Sequence, residues 1–295
     1  MPRFVVGWWV LLVLVVSLGC SRRQSGAAGG GPGDAAARIA KRVVSLSPST
    51  TESLFAIGAK DVIVGRSRYC DFPPEALGLP QVGGFADPNF EAILALRPDL
   101  VVGGRGPAGP QLLERLTAFG TEGYFPETES FAQIDAMLLG LGARTGHGAE
   151  ADAVVTKLHA REGEVQVAVA GRARWRVLLV FGLEPIVVAG PHTFANEMIE
   201  RAGGTNAVRD GSLYPTLGME QVLALDPDVV VNAAIAEAHG AQRIHREAPG
   251  WRELRAVKSG RVVAIAEESV LRPGPRIAEG LAVFARGLHP EAAIP

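Results

Sequence analysis

Two hydrophobic rhythms alternate along the chain from Lys41 onward. Short β-branched runs such as "RVVSL" from Arg42, "VIVG" from Val62 and "DLVVGG" from Asp99 fit buried strands. Between them lie stretches whose apolar residues recur at helical spacing. In "TTESLFAIGA" Leu54, Phe55 and Ile57 form one face and Gly58 ends it. Phe90, Ile93, Leu94 and Leu96 form another, ended by Pro98, and "QLLERLTAFG" forms a third with its own glycine stop. "EGYF" from Glu122 leads into one more short strand. Alternation of this kind predicts an α/β fold.

The second half repeats the plan. "RVLLVFG" matches "RVVSLSP", and "FANEMIERAGG" matches "TTESLFAIGA". "EAILALRPDLVV", starting at Glu91, returns as "EQVLALDPDVVV", starting at Glu220, with eight of twelve positions identical and an offset of 129 residues. That period is too long for a solenoid and predicts two similar Rossmann-like lobes, 41–146 and 172–295, each with a largely parallel sheet. The segment 147–171 lacks proline, carries a single glycine between Ala149 and Ala170, and is long enough to read as one helix joining the lobes. "RVVAI" from Arg261 is a last strand and "RIAEGLAVFARGL" a terminal helix. Ligands of such sheets bind beyond the carboxyl ends of the strands, so two facing lobes would line one cleft.

The first residues stand outside this pattern. Arg3 followed by "FVVGWWVLLVLVVSLG" is too short to span a bilayer comfortably and reads as an export signal over residues 1–20. Cys20 directly after Gly19 resembles a bacterial lipobox, which predicts lipidation at Cys20 and a membrane-anchored protein of the periplasm or cell surface. Residues 21–40, glycine- and alanine-rich, fit a flexible spacer.

Composition narrows the function classes. A formal charge of −2 over 295 residues gives no electrostatic footprint for nucleic acid. With Cys20 lipidated, Cys70 is a lone thiol and reads as a small buried hydrophobe. The six histidines are scattered; His239 and His245 are near neighbours but do not share a helical face, so no metal site is expected and the histidines read as exposed.

"GRGPAG", Gly104–Gly109, fits G-x-G-x-x-G between a strand and a helix, with Glu127 and Glu129 at a suitable distance. A Rossmann-type oxidoreductase is therefore the alternative from another function class. Pro107 and Pro110 stiffen that turn, and Pro110 has no N–H for a pyrophosphate, so an ordinary turn is the better reading. Tyr69, Phe85, Phe181 and Tyr214 sit in or near loops that would face the cleft and suit a broad flat ligand. Arg272 after the last strand could pair with a ligand anion, and Arg105 joins these candidates. Glu91 and Glu220 open the repeated helices, where a carboxylate complements the macrodipole; as a matched pair they could also be a two-point docking site.

"RVVSLSPSTTESLFAIG", "YCDFPPEA", "VGGFADPNFEAILALRPDLVV", "GMEQVLALDPDVVV" and "RPGPRI" together resemble the ABC-transporter substrate-binding proteins of the cobalamin and iron-siderophore class, over about Lys41 to Leu288. The resemblance implies two α/β lobes on one stiff helix, no enzymatic activity, no cofactor, and a monomer that carries a cobalamin-like corrinoid to an ABC permease dimer and its ATPase. A heme or ferric siderophore is the alternative cargo. By position, Tyr69 and Phe181 match ligand-contacting aromatics of the cobalamin-binding members, and Arg272 matches an arginine near the ligand. Phe85 and Tyr214 stand where those members have tryptophan, and Gly104 falls where a third tryptophan would be. Glu91 and Glu220 match glutamates that dock onto permease arginines.

Overall fold

Alternate residues of each strand face two different cores, and that alternation builds both lobes. A computed structural model describes residues 39–105, 109–234, 244–265 and 272–295; the expected export signal, Cys20, most of the expected spacer and His239 lie outside the described residues. The first lobe runs β1 (Val43–Ser45), α1 (Pro48–Ala56), β2 (Ile63–Arg66), α2 (Phe90–Ala95), β3 (Leu100–Val102), α3 (Gly109–Ala118) and β4 (Glu122–Tyr124). Its strands lie in the order β2–β1–β3–β4, all parallel. Val43, Leu100 and Val102 point to one side of this sheet, Val44 and Val101 to the other.

Two helices then carry the chain to the second lobe: α4 (Phe131–Thr145) and α5 (Gly148–Val169). Ser130 caps α4 by accepting from the Gln133 amide, and Gly146 ends it in the left-handed conformation at φ 79°. At 22 residues, α5 is about 33 Å long. The spacer does not run free to residue 40: Ala40 is buried, and its amide donates to the Arg144 carbonyl at 2.8 Å.

The second lobe contains β5 (Trp175–Leu183), β6 (Ile186–Val188), α6 (Phe194–Arg201), β7 (Gly204–Asn206), β8 (Thr216–Leu217), α7 (Met219–Leu225), β9 (Val229–Asn232), α8 (Arg255–Lys258), β10 (Val262–Ala264) and α9 (Ile277–Leu288). The expected α/β lobe is present, and its sheet is mixed: the β9–β10, β5–β7 and β5–β9 pairs are parallel, and an antiparallel end is added to them. Strand β5 pairs in parallel with β7 and β9 through Val180, then continues into a tight turn and pairs antiparallel with β6, to which β8 adds antiparallel. The turn at Glu184–Pro185 folds the chain back where the first lobe sends its strand into a helix.

Val177, Leu179, Val229 and Val231 join the same apolar cluster as Val43 and Leu100, together with Leu158 and Val165 of α5 and Leu281 and Phe284 of α9. Leu178, Val180 and Val230 face a separate cluster capped by Trp251. One core thus runs beneath both sheets and through the joining helix. Pulling the lobes apart would expose it to water, which favours small lobe movements.

The duplicated string has a structural cause. Asp99 accepts from the Arg42 amide at 2.9 Å, and Asp228 accepts from the Arg176 amide at 3.0 Å, so each aspartate fixes the entry of the neighbouring strand. The Arg42 guanidinium donates to the Leu96 carbonyl at 2.8 Å, and that of Arg176 donates to Leu225 at 2.9 Å. Each satisfies a carbonyl that the end of a helix leaves orphaned. Arg97 and Asp226, at equivalent places, both take positive φ (46° and 36°).

Candidate functional site

The loop after β1 is built on buried hydroxyls. Ser45 Oγ lies 2.8 Å from both Thr50 Oγ1 and Thr51 Oγ1, and Ser47 Oγ lies 2.9 Å from Thr50 Oγ1. Ser47 also accepts from the Gly104 amide at 3.1 Å, tying the loop after β3 to the loop after β1. A side chain at Gly104 would meet the Phe85 ring at 3.6 Å, so these two predicted residues are neighbours.

Tyr69 follows β2 and is 52% exposed, unusual for a large aromatic. Its loop is locked to that of Phe85: Arg68 pairs with Asp87 at 2.7 Å, and the Arg68 amide donates to the Gly83 carbonyl at 2.9 Å. Gly84 lies directly beneath this pair, and a Cβ there would require the Arg68 and Asp87 side chains to shift. The structure therefore brings Tyr69, Phe85 and Gly104 onto tied loops of the first lobe.

In the second lobe Phe181, on β5, meets Tyr214 edge to face, with ring centroids 5.7 Å apart and an interplanar angle of 70°. The Tyr214 hydroxyl donates to Glu129 of the first lobe at 2.8 Å. Burial, and then the hydrogen bond to the Glu129 carboxylate, hold the phenol far above its ordinary pKa, so Tyr214 stays neutral. The aromatic pair is thus fastened across the lobe junction.

The predicted arginines are all engaged. Arg105 forms an ion pair with Glu127. Arg272 donates to Glu52 at 2.9 Å and to Asp71 at 3.0 Å, both of the first lobe. Arg276 adds two bonds to Glu52, at 2.8 and 2.9 Å, and covers the Phe72 ring at 3.9 Å. The Glu52 side chain is only 2% exposed. A further tie joins the Phe131 amide to Glu197 at 3.1 Å, with Arg201 stacked over Phe131 and bonded to Glu162 at 2.8 Å. Burial is the leading cause that raises the Glu162 carboxyl, against the opposing pull of Arg201.

Sequence reasoning missed Glu52, Arg276 and Glu129 as junction residues. One signal was present: Arg272 and Arg276 stand four apart in "RPGPRI", and paired cations in an apolar context call for a shared anion. The two acids that a dinucleotide reading needs are occupied, Glu127 by Arg105 and Glu129 by Tyr214.

Glu91 and Glu220 lie in the first turns of α2 and α7, and both are exposed. Among the described residues Glu91 pairs with Arg115 alone, at 3.8 Å, with its side chain 86% exposed. A separate cavity of about 440 Å³ lies between α1, α5 and α9, lined by Phe55, Lys157, Leu158, Arg161 and Arg276 among others; none of the predicted ligand residues borders it.

Cys70 is buried against Ser67. The expectation of exposed histidines fails at His289, which is 1% exposed. Burial, the largest influence on it, lowers its pKa. No helix among the described residues is long and apolar enough to cross a membrane, and no group of three metal-ligating side chains comes together among them.

Known proteins share this arrangement. A family model described as periplasmic binding protein matches residues 43–268. A vitamin B12-binding protein of Photorhabdus laumondii is 32% identical over 238 residues, covering 80% of this chain and 83% of its own. The crystal structure of the periplasmic vitamin B12 binding protein BtuF of Vibrio cholerae superposes with a TM-score of 0.73 at 28% identity, over 84% of this chain and 96% of that one. The periplasmic heme-binding protein RhuT of Roseiflexus sp. RS-1 superposes with a TM-score of 0.74 at 25% identity, over 85% and 98% of the two chains.

Proposed function

The chain belongs to the periplasmic binding protein family, and from that premise we propose that it captures a cobalamin-like corrinoid between its lobes and delivers it to an ABC importer. The observation that carries the cargo assignment is the aromatic set: Tyr69 and Phe85 on tied loops of one lobe, and the Phe181–Tyr214 pair of the other, fastened across the junction. A corrin macrocycle is broad and apolar on its faces, and its rim carries neutral amides. Flat aromatic walls stack on such faces without needing a counter-ion.

The charges favour the same reading. Arg68, Arg105 and Arg272 each already face a carboxylate, so a ligand bearing several anionic groups would have to displace Asp87, Glu127 or Glu52. Heme or a ferric siderophore is the second reading; the structural likeness to RhuT and the half-exposed Tyr69 phenol, a group able to ligate ferric iron, favour it. The partner is a permease dimer with its ATPase. No covalent step is required of the protein, and affinity comes from stacking in a largely preformed site.

Visible absorption of the purified protein after soaking with cyanocobalamin, hemin or a ferric siderophore tests the cargo. Retention of the cyanocobalamin spectrum through gel filtration is the expected result, and retention of hemin alone would reject the corrinoid. Tyr69→Ala and Phe181→Ala should each weaken corrinoid binding by about 1–3 kcal/mol by calorimetry, the scale of a buried aromatic contact. Unchanged affinity in both folded variants would put the ligand elsewhere.

The lipid anchor at Cys20 is part of the same proposal. Cys20→Ser should leave ligand affinity intact while moving the protein from the membrane fraction to the soluble fraction, because the acyl chains provide the attachment. A cleaved variant that still sediments with membranes would reject it.

A further inference from the structure

Among the described residues, Glu129 is the acidic side chain that hydrogen-bonds an aromatic wall of the proposed ligand site. It leaves the first lobe just before α4, where its own amide donates to Gln133 Oε1 at 2.8 Å, and its carboxylate reaches the Tyr214 hydroxyl of the second lobe at 2.8 Å. An ionised carboxylate is acceptor-only: it can take hydrogen bonds from a phenol or an amide N–H and repels a second carboxylate. One of its oxygens serves Tyr214, which leaves acceptor capacity on the other. Among the described residues no arginine or lysine forms an ion pair with Glu129, in contrast to Glu127, Asp87 and Asp71, each of which pairs with an arginine.

We infer that Glu129 is a specificity-determining residue of this site, which orients Tyr214 across the lobe junction and biases the site towards ligands with amide donors and against ligands with carboxylates. The inference rests on the proposal that Tyr69, Phe85, Phe181 and Tyr214 form the ligand site, and it deepens that proposal. Two consequences follow from the chemistry. A neutral amide on the rim of the ligand can donate to the unused Glu129 oxygen. A propionate placed there would meet a like charge in a partly water-excluded site, where repulsion is stronger than in bulk water.

Glu129→Gln separates the two roles. The glutamine carbonyl can still accept from Tyr214, so the junction persists while the charge is removed. Binding of cyanocobalamin, hemin and hemin dimethyl ester is measured by absorbance titration for the wild type and for this variant. The expected result is a rise of at least tenfold in hemin affinity relative to cyanocobalamin, with the uncharged diester rising by less than threefold relative to cyanocobalamin.

A ratio of hemin to cyanocobalamin affinity that stays the same, or a diester that gains as much as the diacid, overturns the inference. Hemin that remains undetectable at its solubility limit in the variant overturns it too. The absolute preference of the wild type reports separately on the cargo: a wild type that prefers hemin rejects the corrinoid assignment, while the change in ratio still decides the role of Glu129. As a check on orientation, Tyr214→Phe should weaken cyanocobalamin binding several-fold while leaving the ratio nearer the wild-type value than Glu129→Gln does. A Tyr214→Phe variant that shifts the ratio as far as Glu129→Gln would mean that the junction, and not the charge, sets the preference, and would overturn the inference.

Discussion

Ligand uptake should fall to background when Glu91 and Glu220 are both reversed to lysine, while ligand affinity should stay at the wild-type level. This is the result expected if the two glutamates are the points at which each lobe docks on the permease. They occupy equivalent positions of the duplicated helices, 129 residues apart, in the first turns of α2 and α7. A permease of two like copies could offer each an arginine cluster, giving one charge-assisted contact per lobe. Among the described residues neither carboxylate is buried. The Arg115 contact of Glu91 is long and solvent-exposed, and such pairs contribute little. Helix-dipole complementarity alone predicts a different outcome, a loss of about 0.3–1 kcal/mol per site with normal transport. An uptake assay on cells carrying the double variant, beside a thermal melt of the purified protein, separates the two. Full transport with only a lowered melting temperature would reject docking through these residues.

The duplicated string also shows how much of the molecule was legible in the sequence. Strand and helix followed from apolar spacing, and the repeat disclosed two lobes, because Asp99 and Asp228 perform the same local task and their neighbours must match. The long helix was legible for a related reason: a stretch without proline or clustered glycine has little else to become. The antiparallel end of the second sheet was not legible. Strand β5 runs nine residues without a break, and "EPIVV" carries no signal that separates a return hairpin from the start of a helix connection. The aromatic candidates could be found one at a time as loop residues. Their fastening across the junction could not, since Tyr214 and Glu129 are 85 residues apart and Glu52 and Arg276 are 224 apart. Long-range polar pairing leaves no periodic trace in a single sequence.

Glu52 is where such pairing has the greatest consequence for stability. Glu52→Ala should destabilise the protein by about 3–5 kcal/mol, the scale for removing one partner from a buried ionic network, and lower its melting temperature by roughly 10 °C. The carboxylate is 2% exposed and accepts from both Arg272 and Arg276, whose side chains are 17% and 25% exposed. Removing it leaves two guanidinium groups partly withdrawn from water. Arg272 retains Asp71, at 3.0 Å, whereas Arg276 loses its two hydrogen bonds and keeps its packing on Phe72 and the weaker attraction of Glu279. The comparison that isolates burial is Arg105→Ala, which breaks a pair whose side chains are 64% and 49% exposed and should cost less than about 1 kcal/mol. Combining Glu52→Leu with Arg276→Met should recover part of the loss, because replacing a buried pair as a unit avoids the stranded charge. The network also links α1 of the first lobe to the segment that leads into α9 of the second, so its loss should loosen the lobe junction as well as the fold. Corrinoid affinity should then fall in Glu52→Ala at temperatures well below its melting point. Equal melting temperatures for Glu52→Ala and Arg105→Ala would mean that the junction is held by the shared apolar core alone, with the charges contributing nothing measurable.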